Sequence, residues 1–198
     1  MSTPATRLQE LLAQDRVAPA ETAAFLDGLS HADRMDALLS LQGPRLQRKL
    51  YAMGSEHPRV TIDQLVPPDM APLREVIFHG KNSLPVFTVF QKRFCRPPKE
   101  QRADELWGYN HSHLQWVIGP GYFVCHDEPE GAAVDYRKVP SHGAPGWPAV
   151  QPNARGVSHL VYKNMVDYLR RVSTHAYIGS ATKLGKELGN YFLLCREP

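Results

Sequence analysis

Apolar residues in the first quarter of the chain recur at the three- and four-residue spacing of amphipathic helices. Leu8, Leu11 and Leu12 form one such stripe. The stripes follow residues that commonly begin a helix. These start signals are Thr3-Pro4, Ser30 with Asp33, and Gly43-Pro44. The pattern predicts three or four short helices between residue 3 and about residue 56, and we expect them to pack against the rest of the protein.

Paired prolines end the helical pattern. The stretch Val66-Pro67-Pro68-Asp69, with Pro72 soon after it, excludes both a helix and a central strand, because proline lacks a backbone N–H. We therefore expect a helical region at 1–66 and a second domain at 73–198. Beyond the boundary, the apolar positions follow the two-residue period of β-strands.

The clearest β element lies in the middle of the chain, where two β-rich runs over His113 to Asp127 flank Gly119-Pro120-Gly121. Glycine and proline at this position are typical of a tight hairpin turn. The segment from Val86 to Phe94 fits a buried helix and a buried strand equally well. Other runs predict strands at 74–79, 132–139, 157–162, 176–182 and 190–195, a helix at 164–172 and an irregular loop at 140–152.

These elements predict the fold class. Seven or eight short strands follow one another with hardly any helix between them, which excludes a parallel βαβ arrangement. A closed barrel also leaves no strand edge exposed. We predict an α+β protein in which short N-terminal helices precede an antiparallel β-barrel.

Composition narrows the classes of function. The three cysteines are odd in number and far apart, so we predict reduced core residues rather than disulfides or a zinc ribbon. The net charge of +3 comes from scattered residues, which argues against a nucleic-acid partner. The sequence shows neither an apolar leader nor a run of about 18 apolar residues, so we expect no membrane partner and a cytoplasmic location.

The last third of the chain carries a family resemblance. Its residues are Arg155-Gly156-Val157, Leu160-Val161-Tyr162, Val166 to Val172, Ile178-Gly179 and Tyr191-Phe192-Leu193-Leu194. In this order they resemble the C-terminal barrel domain of the GXWXG family of bacterial proteins, over residues 75–197. The G-x-W-x-G motif itself is absent at Ile77 to Lys81. The resemblance implies a calycin-type, lipocalin-like β-barrel around a small-molecule cavity, and it brings no catalytic residue with it.

The predicted central hairpin brings histidines together. A tight turn at 119–121 places His113 opposite His126. Side-chain alternation adds His111 and Glu128 to the same face of the hairpin. Three imidazoles and a carboxylate are a competent ligand set for zinc, iron or manganese. The alternative interpretation is a polar outer face of the barrel, which antiparallel strands ordinarily have.

Two further histidines and a set of aromatic residues are candidates for ligand contacts. His79 and His175 stand at strand ends, from which either ring could project into the barrel mouth, ligate haem or act as a general base. Small barrels turn aromatic rings inward as core packing or as the lining of a cavity. The candidate lining residues are Tyr109, Trp116, Phe123, Tyr136, Tyr162 and Tyr191.

The sequence thus predicts a barrel that binds a small apolar or aromatic molecule, and it leaves acid/base catalysis in the cavity open. One alternative is a metal-dependent enzyme built on His111, His113, His126 and Glu128. A haem-binding barrel and a protein whose helices dock a partner are the others. The identity of any cofactor, metal or haem, stays open, as does the oligomeric state.

Overall fold

Short helices occupy the first third of the chain in a computed structural model that describes residues 2–85, 88–101, 104–113, 115–154, 156 and 158–198. Two of the predicted start signals are confirmed, because the side chain of Thr3 accepts from the N–H of Thr6 and that of Ser30 accepts from the N–H of Asp33. The helices are α1 (Pro4–Ala13), α2 (Pro19–Gly28), α3 (His31–Leu39), α4 (Pro44–Met53) and α5 (Ile62–Leu65), with a 3-10 turn at Gly54–Glu56. No helix among the described residues has the length and apolar character needed to cross a membrane.

Eight antiparallel strands close into a barrel in which each strand pairs with its neighbours in sequence and the last pairs with the first. The strands are β1 (Val76–Asn82), β2 (Val89–Cys95), β3 (Glu105–His111), β4 (Phe123–Glu128), β5 (Gly131–Asp135), β6 (Met165–Arg171), β7 (Ala176–Lys183) and β8 (Lys186–Arg196). Two more helical turns, α6 (Gln115–Ile118) and α7 (Ser158–Tyr162), precede β4 and β6. This closure confirms the predicted α+β fold with a lipocalin-like barrel.

The helices cover one side of the barrel. α3 and α4 pack on β8, and α1 packs on both of these helices. Leu38 and Leu50 share a buried cluster with Ile178 and Leu193, which point outward from β7 and β8. The apolar stripes of the helices are therefore buried against the outer surface of the sheet, as expected from their single apolar faces.

One end of the barrel is closed by the segment around α5. Val60, Ile62 and Leu65 belong to the same buried cluster as the lumen-facing Phe78 and Phe94. The backbone N–H of Ile62 donates to the Oδ1 atom of Asp127 at 2.8 Å, which fixes the segment to β4. Residues just before the paired prolines thus complete the barrel core.

The predicted central hairpin is wrong. Gln115–Ile118 forms the helical turn α6, and β4 pairs instead with β5 and with β3, a strand that was not predicted. β3 lacks a polar face because the proline-rich loop covers its outer side, where Trp107 packs against Ala144 and Trp147. The alternation that would have marked a strand is therefore missing from its sequence. Leu114 lies outside the described residues.

The elements predicted at 157–162 and 164–172 are exchanged. Ser158–Tyr162 is a helix and Met165–Arg171 is a strand paired with β5 and β7. Pairing on both sides overrides the helical spacing of the apolar residues in this segment. Val157, at the start of the predicted strand, and Arg155 lie outside the described residues. The ambiguous segment from Val86 to Phe94 is a strand from Val89, with Val86 and Phe87 outside the described residues.

Candidate functional site

A polar network lies inside the otherwise apolar barrel. Lys92 on β2 and Asp167 on β6 are 1% and 3% exposed. The Lys92 Nζ atom donates to Oδ2 of Asp167 at 3.4 Å, to Oδ1 of Asn110 at 3.1 Å and to the hydroxyl of Tyr136. The Asn110 amide donates to the same hydroxyl at 3.0 Å. Four buried polar side chains therefore form one connected network.

Strand alternation places these polar groups in the lumen. On β2, Phe90, Lys92 and Phe94 occupy every second position, and both phenylalanines pack in the barrel core. Lys92 pairs directly with Asn110 of β3. Asp167 faces the lumen from the opposite wall, where it pairs with Ala181 of β7.

Phenyl rings surround the Lys92 amine because strand glycines leave room for them. The Nζ atom lies 5.0 Å from the ring centroid of Phe123 and 4.8 Å from that of Phe192, within cation–π range. A Cβ atom at Gly179 would lie 2.1 Å from Cζ of Phe192. Three rings lie over the glycine that pairs with them: Phe90 over Gly80, Phe123 over Gly108, and Phe192 over Gly179.

Burial shifts the ionisation of the network. Desolvation lowers the pKa of the Lys92 amine, and the charge of Asp167 opposes this shift only in part. Desolvation likewise raises the pKa of the Asp167 carboxyl against the effect of Lys92. Burial also raises the pKa of Tyr162 to about 12. Both members of the buried pair are thus shifted towards their uncharged forms, an amine and a carboxylic acid.

A cavity of about 160 Å³ adjoins the network at one end of the barrel. All four network residues line it, together with mostly apolar side chains, among them Phe90, Ile118, Val161, Tyr162, Met165 and Phe192. The ring of Tyr162 stacks on that of Tyr136, with centroids 5.0 Å apart. A dry protein cavity of about 150 Å³ holds benzene, so this space fits a molecule built on a single ring.

One carboxylate oxygen at the cavity wall lacks a partner. Oδ2 of Asp167 accepts from Lys92, whereas its buried Oδ1 has no hydrogen-bond partner among the described residues. An unsatisfied buried polar group costs about 1–3 kcal/mol, and more if it is charged. A ligand group that bonds to Oδ1 would recover part of this cost.

The predicted lining residues divide between the lumen and the outside of the barrel. Tyr136 and Tyr162 line the cavity. Phe123 lies in the lumen core beside Lys92. Tyr191 reaches the rim, but its ring packs against that of Tyr51 on α4, with centroids 5.3 Å apart.

Two of the predicted lining residues lie outside the cavity. Tyr109 follows the lumen-facing Gly108 and therefore points outward, where its ring centroid lies 4.9 Å from that of Trp147 in the proline-rich loop. Trp116 is 81% exposed, because its segment forms the helical turn α6 rather than a strand with an inward face.

His79 and His175 do not project into the barrel mouth. On β1, Phe78 faces the lumen, so His79 faces outward and its Nε2 atom lies 3.9 Å from Glu197. His175 lies in the turn between β6 and β7, where burial, together with Arg34, lowers its pKa. Neither ring lines the cavity, so the expected haem ligation or general-base role in the mouth has no support from these positions.

The four predicted metal ligands do not meet. His126 pairs with Glu105 at one end of β3. His111 lies at the other end of the same strand, six residues from Glu105, which corresponds to roughly 20 Å along the strand. Glu128 bonds to His126 at 3.0 Å, and His113 is exposed in the turn before α6. Among the described residues, no three histidine, cysteine or acidic side chains are grouped as a metal site. The predicted ligand set depended on the register of the central hairpin, and this hairpin does not form.

Sequence reasoning missed Lys92, Asn110 and Asp167. The alternation Phe90-x-Lys92-x-Phe94 was the available signal, because it sets a lysine between two aromatic residues on the apolar face of a strand. Asp167 gave no such signal, since its segment fits a helix whose charged residues face solvent.

No protein-family model, curated protein or solved structure matches the chain. The resemblance to the GXWXG family therefore stays a prediction. The chemistry of the barrel cavity itself is therefore the guide to function, since a fold alone does not identify one.

Proposed function

We propose that the protein binds a small molecule in the barrel cavity, with an apolar body of about one aromatic ring and a polar end that meets Lys92 and Asp167. The observation that carries this proposal is the incompletely bonded carboxylate of Asp167 at the wall of a mainly apolar cavity. A cavity with few polar groups at one point is typical of small-molecule sites, because the apolar wall supplies affinity and the polar groups supply orientation.

The buried charges favour a ligand site over simple core packing. Replacing a buried ion pair by apolar residues of similar volume is often neutral or stabilising, so such a pair is weak evidence for a role in stability. Lys92 and Asp167 also border empty space and have shifted pKa values, a combination typical of functional sites.

The surroundings of the cavity suit an apolar ligand. The helical turns α6 and α7 contribute Ile118 and Val161 to its lining. The same two turns expose apolar side chains to solvent, since Trp116 is 81% and Leu160 is 72% exposed. An apolar molecule that reaches this end of the barrel therefore meets apolar surface both outside and inside the cavity.

A titration with benzyl alcohol tests the proposal, since this probe combines one ring with one polar end. Ala181 lines the cavity, and Ala181→Leu adds three carbon atoms there, whereas Thr182→Leu alters the next residue on the outer face of β7. We expect calorimetry to show one site in the wild type and in Thr182→Leu, and at least about tenfold weaker binding in Ala181→Leu. Absence of binding to the wild type, or equal binding by both variants, would refute the proposal.

A further inference from the structure

We propose that Lys92 is a nucleophile that forms a reversible imine with an aldehyde or ketone group of the bound ligand. This inference rests on the proposed ligand site and identifies the polar end of the ligand as a carbonyl group. The geometry that carries it is an amine that lines the cavity beside an acid, with aromatic rings on several sides.

The network holds the Lys92 amine in an orientation suited to attack. An uncharged amine has two N–H bonds and one lone pair. Oδ1 of Asn110 and the hydroxyl oxygen of Tyr136 lie in position to accept hydrogen bonds from the two N–H groups. The lone pair then faces Asp167, whose Oδ2 lies 3.4 Å from Nζ, and it can attack the carbonyl carbon of a molecule in the cavity once the acid form of Asp167 donates to the carbonyl oxygen instead.

Burial supplies the reactive form of the side chain. An exposed lysine is almost entirely an ammonium ion at neutral pH, and an ammonium ion has no lone pair to donate. Desolvation among the rings of Phe123 and Phe192 lowers the pKa of Lys92, which increases the fraction of free amine. Among the described lysines, Lys92 alone is buried.

The chemistry balances with the groups present. The nitrogen lone pair forms the C–N bond while the acid form of Asp167 gives its proton to the carbonyl oxygen, and the ammonium of this adduct returns a proton to Asp167. The resulting hydroxyl group then takes that proton back and leaves as water as the C=N bond forms. One water molecule is released, and the protonated imine on Lys92 is left opposite the carboxylate of Asp167, 3.4 Å from the amine before reaction.

Trapping with benzaldehyde and sodium cyanoborohydride tests the inference, because hydride converts an imine into a stable amine. We expect intact-mass analysis of the full-length wild type to show one benzyl group added rapidly, and peptide mapping to place it on Lys92. The reaction of Lys92 should be at least about tenfold faster than that of any exposed lysine, since each unit by which its pKa falls raises the free-amine fraction about tenfold.

Three comparisons make the outcome specific. Lys92→Arg keeps a cation but cannot form this imine, so the rapid adduct should be lost. Lys138→Arg changes an exposed lysine and should leave the rapid adduct on Lys92 unchanged. Excess toluene should slow the reaction of the wild type by filling the cavity. Binding of benzyl alcohol without a faster adduct on Lys92 would overturn the imine alone, whereas failure of both probes would overturn the ligand site as well.

Discussion

Lys92 on β2 and Asp167 on β6 pair across the barrel lumen, with Nζ and Oδ2 3.4 Å apart. The eight strands close in sequence order, so β2 and β6 stand four strands apart in either direction. The pair therefore joins opposite walls of the barrel directly, with 2% and 4% of the two side chains exposed. Stability, ionisation and ligand binding should all respond to changes in either partner.

The first prediction concerns the coupling between the side chains of Lys92 and Asp167. Lys92→Met and Asp167→Leu should each lower the free energy of unfolding by about 3–5 kcal/mol, because each leaves one buried group without its partner. The double variant should lose much less than the sum of the two. Urea denaturation of the four proteins measures this difference as an interaction energy.

An exposed ion pair provides the control for this cycle. Arg7 and Glu21 lie 3.4 Å apart with about half of each side chain exposed, so Glu21→Gln should cost less than about 1 kcal/mol. Strictly additive effects of Lys92→Met and Asp167→Leu would show that the two side chains do not interact in solution.

The second prediction is a pH dependence. In Asp167→Asn, Lys92 stays buried but loses the charge that opposes desolvation, so its pKa in the folded protein falls further below its ordinary value of about 10.4. Between these two pKa values the unfolded chain binds a proton that the folded chain lacks, and the free energy of unfolding therefore rises with pH. The pKa of Lys92 is lowered less in the wild type, which therefore gains this stability only at higher pH, so the stability deficit of the variant should narrow in thermal unfolding as the pH rises from neutral towards the ordinary pKa of lysine. A deficit that grows over this range would contradict the assignment.

The third prediction concerns the contact between glycine and phenylalanine. Gly179→Ala should lower the free energy of unfolding by about 1–3 kcal/mol, because the new methyl group would overlap the ring of Phe192. Adding Phe192→Leu should recover part of the loss. Gly28→Ala is the matched control, since nothing lies within 4 Å of a Cβ atom at this helical position, and it should be neutral or slightly stabilising.

The fourth prediction concerns the three cysteines, which are free and buried. Burial raises the pKa of the Cys95 thiol to about 12 and that of Cys195 to about 11. The thiolate is the reactive form, so the native protein at about pH 8 should react with Ellman's reagent far more slowly than the urea-unfolded chain. The unfolded chain should release three equivalents of the coloured thiolate of the reagent, one for each cysteine. A cysteine that reacts equally fast in both states would lie at the surface.

Local chemistry explains which elements could be predicted from the sequence. The starts of α1, α3 and α4 depend on residues within one turn of the helix, and a proline at Pro4 or Pro44 acts at its own position. The turn between β7 and β8 likewise contains Gly185, whose positive φ is a conformation that glycine adopts readily. Such signals do not need the rest of the fold.

Long-range pairing explains the errors. Met165–Arg171 becomes a strand because β5 and β7 pair with it although its apolar residues have helical spacing, and its partner β5 ends at Asp135, too far away to show in a local window. The same holds for the site. Lys92 and Asp167 are separated by 75 positions and meet only when the barrel closes, so neither residue alone indicates the pair.

The most direct test of a ligand site in the barrel is a crystal structure of the protein soaked with bromobenzene, in which the anomalous signal locates the bromine. We predict one strong bromine peak inside the barrel, among Phe90, Tyr162 and Met165 and beside the network of Lys92 and Asp167. A lumen filled by ordered water or by shifted side chains, with bromine only at the outer surface, would contradict the existence of a ligand site there.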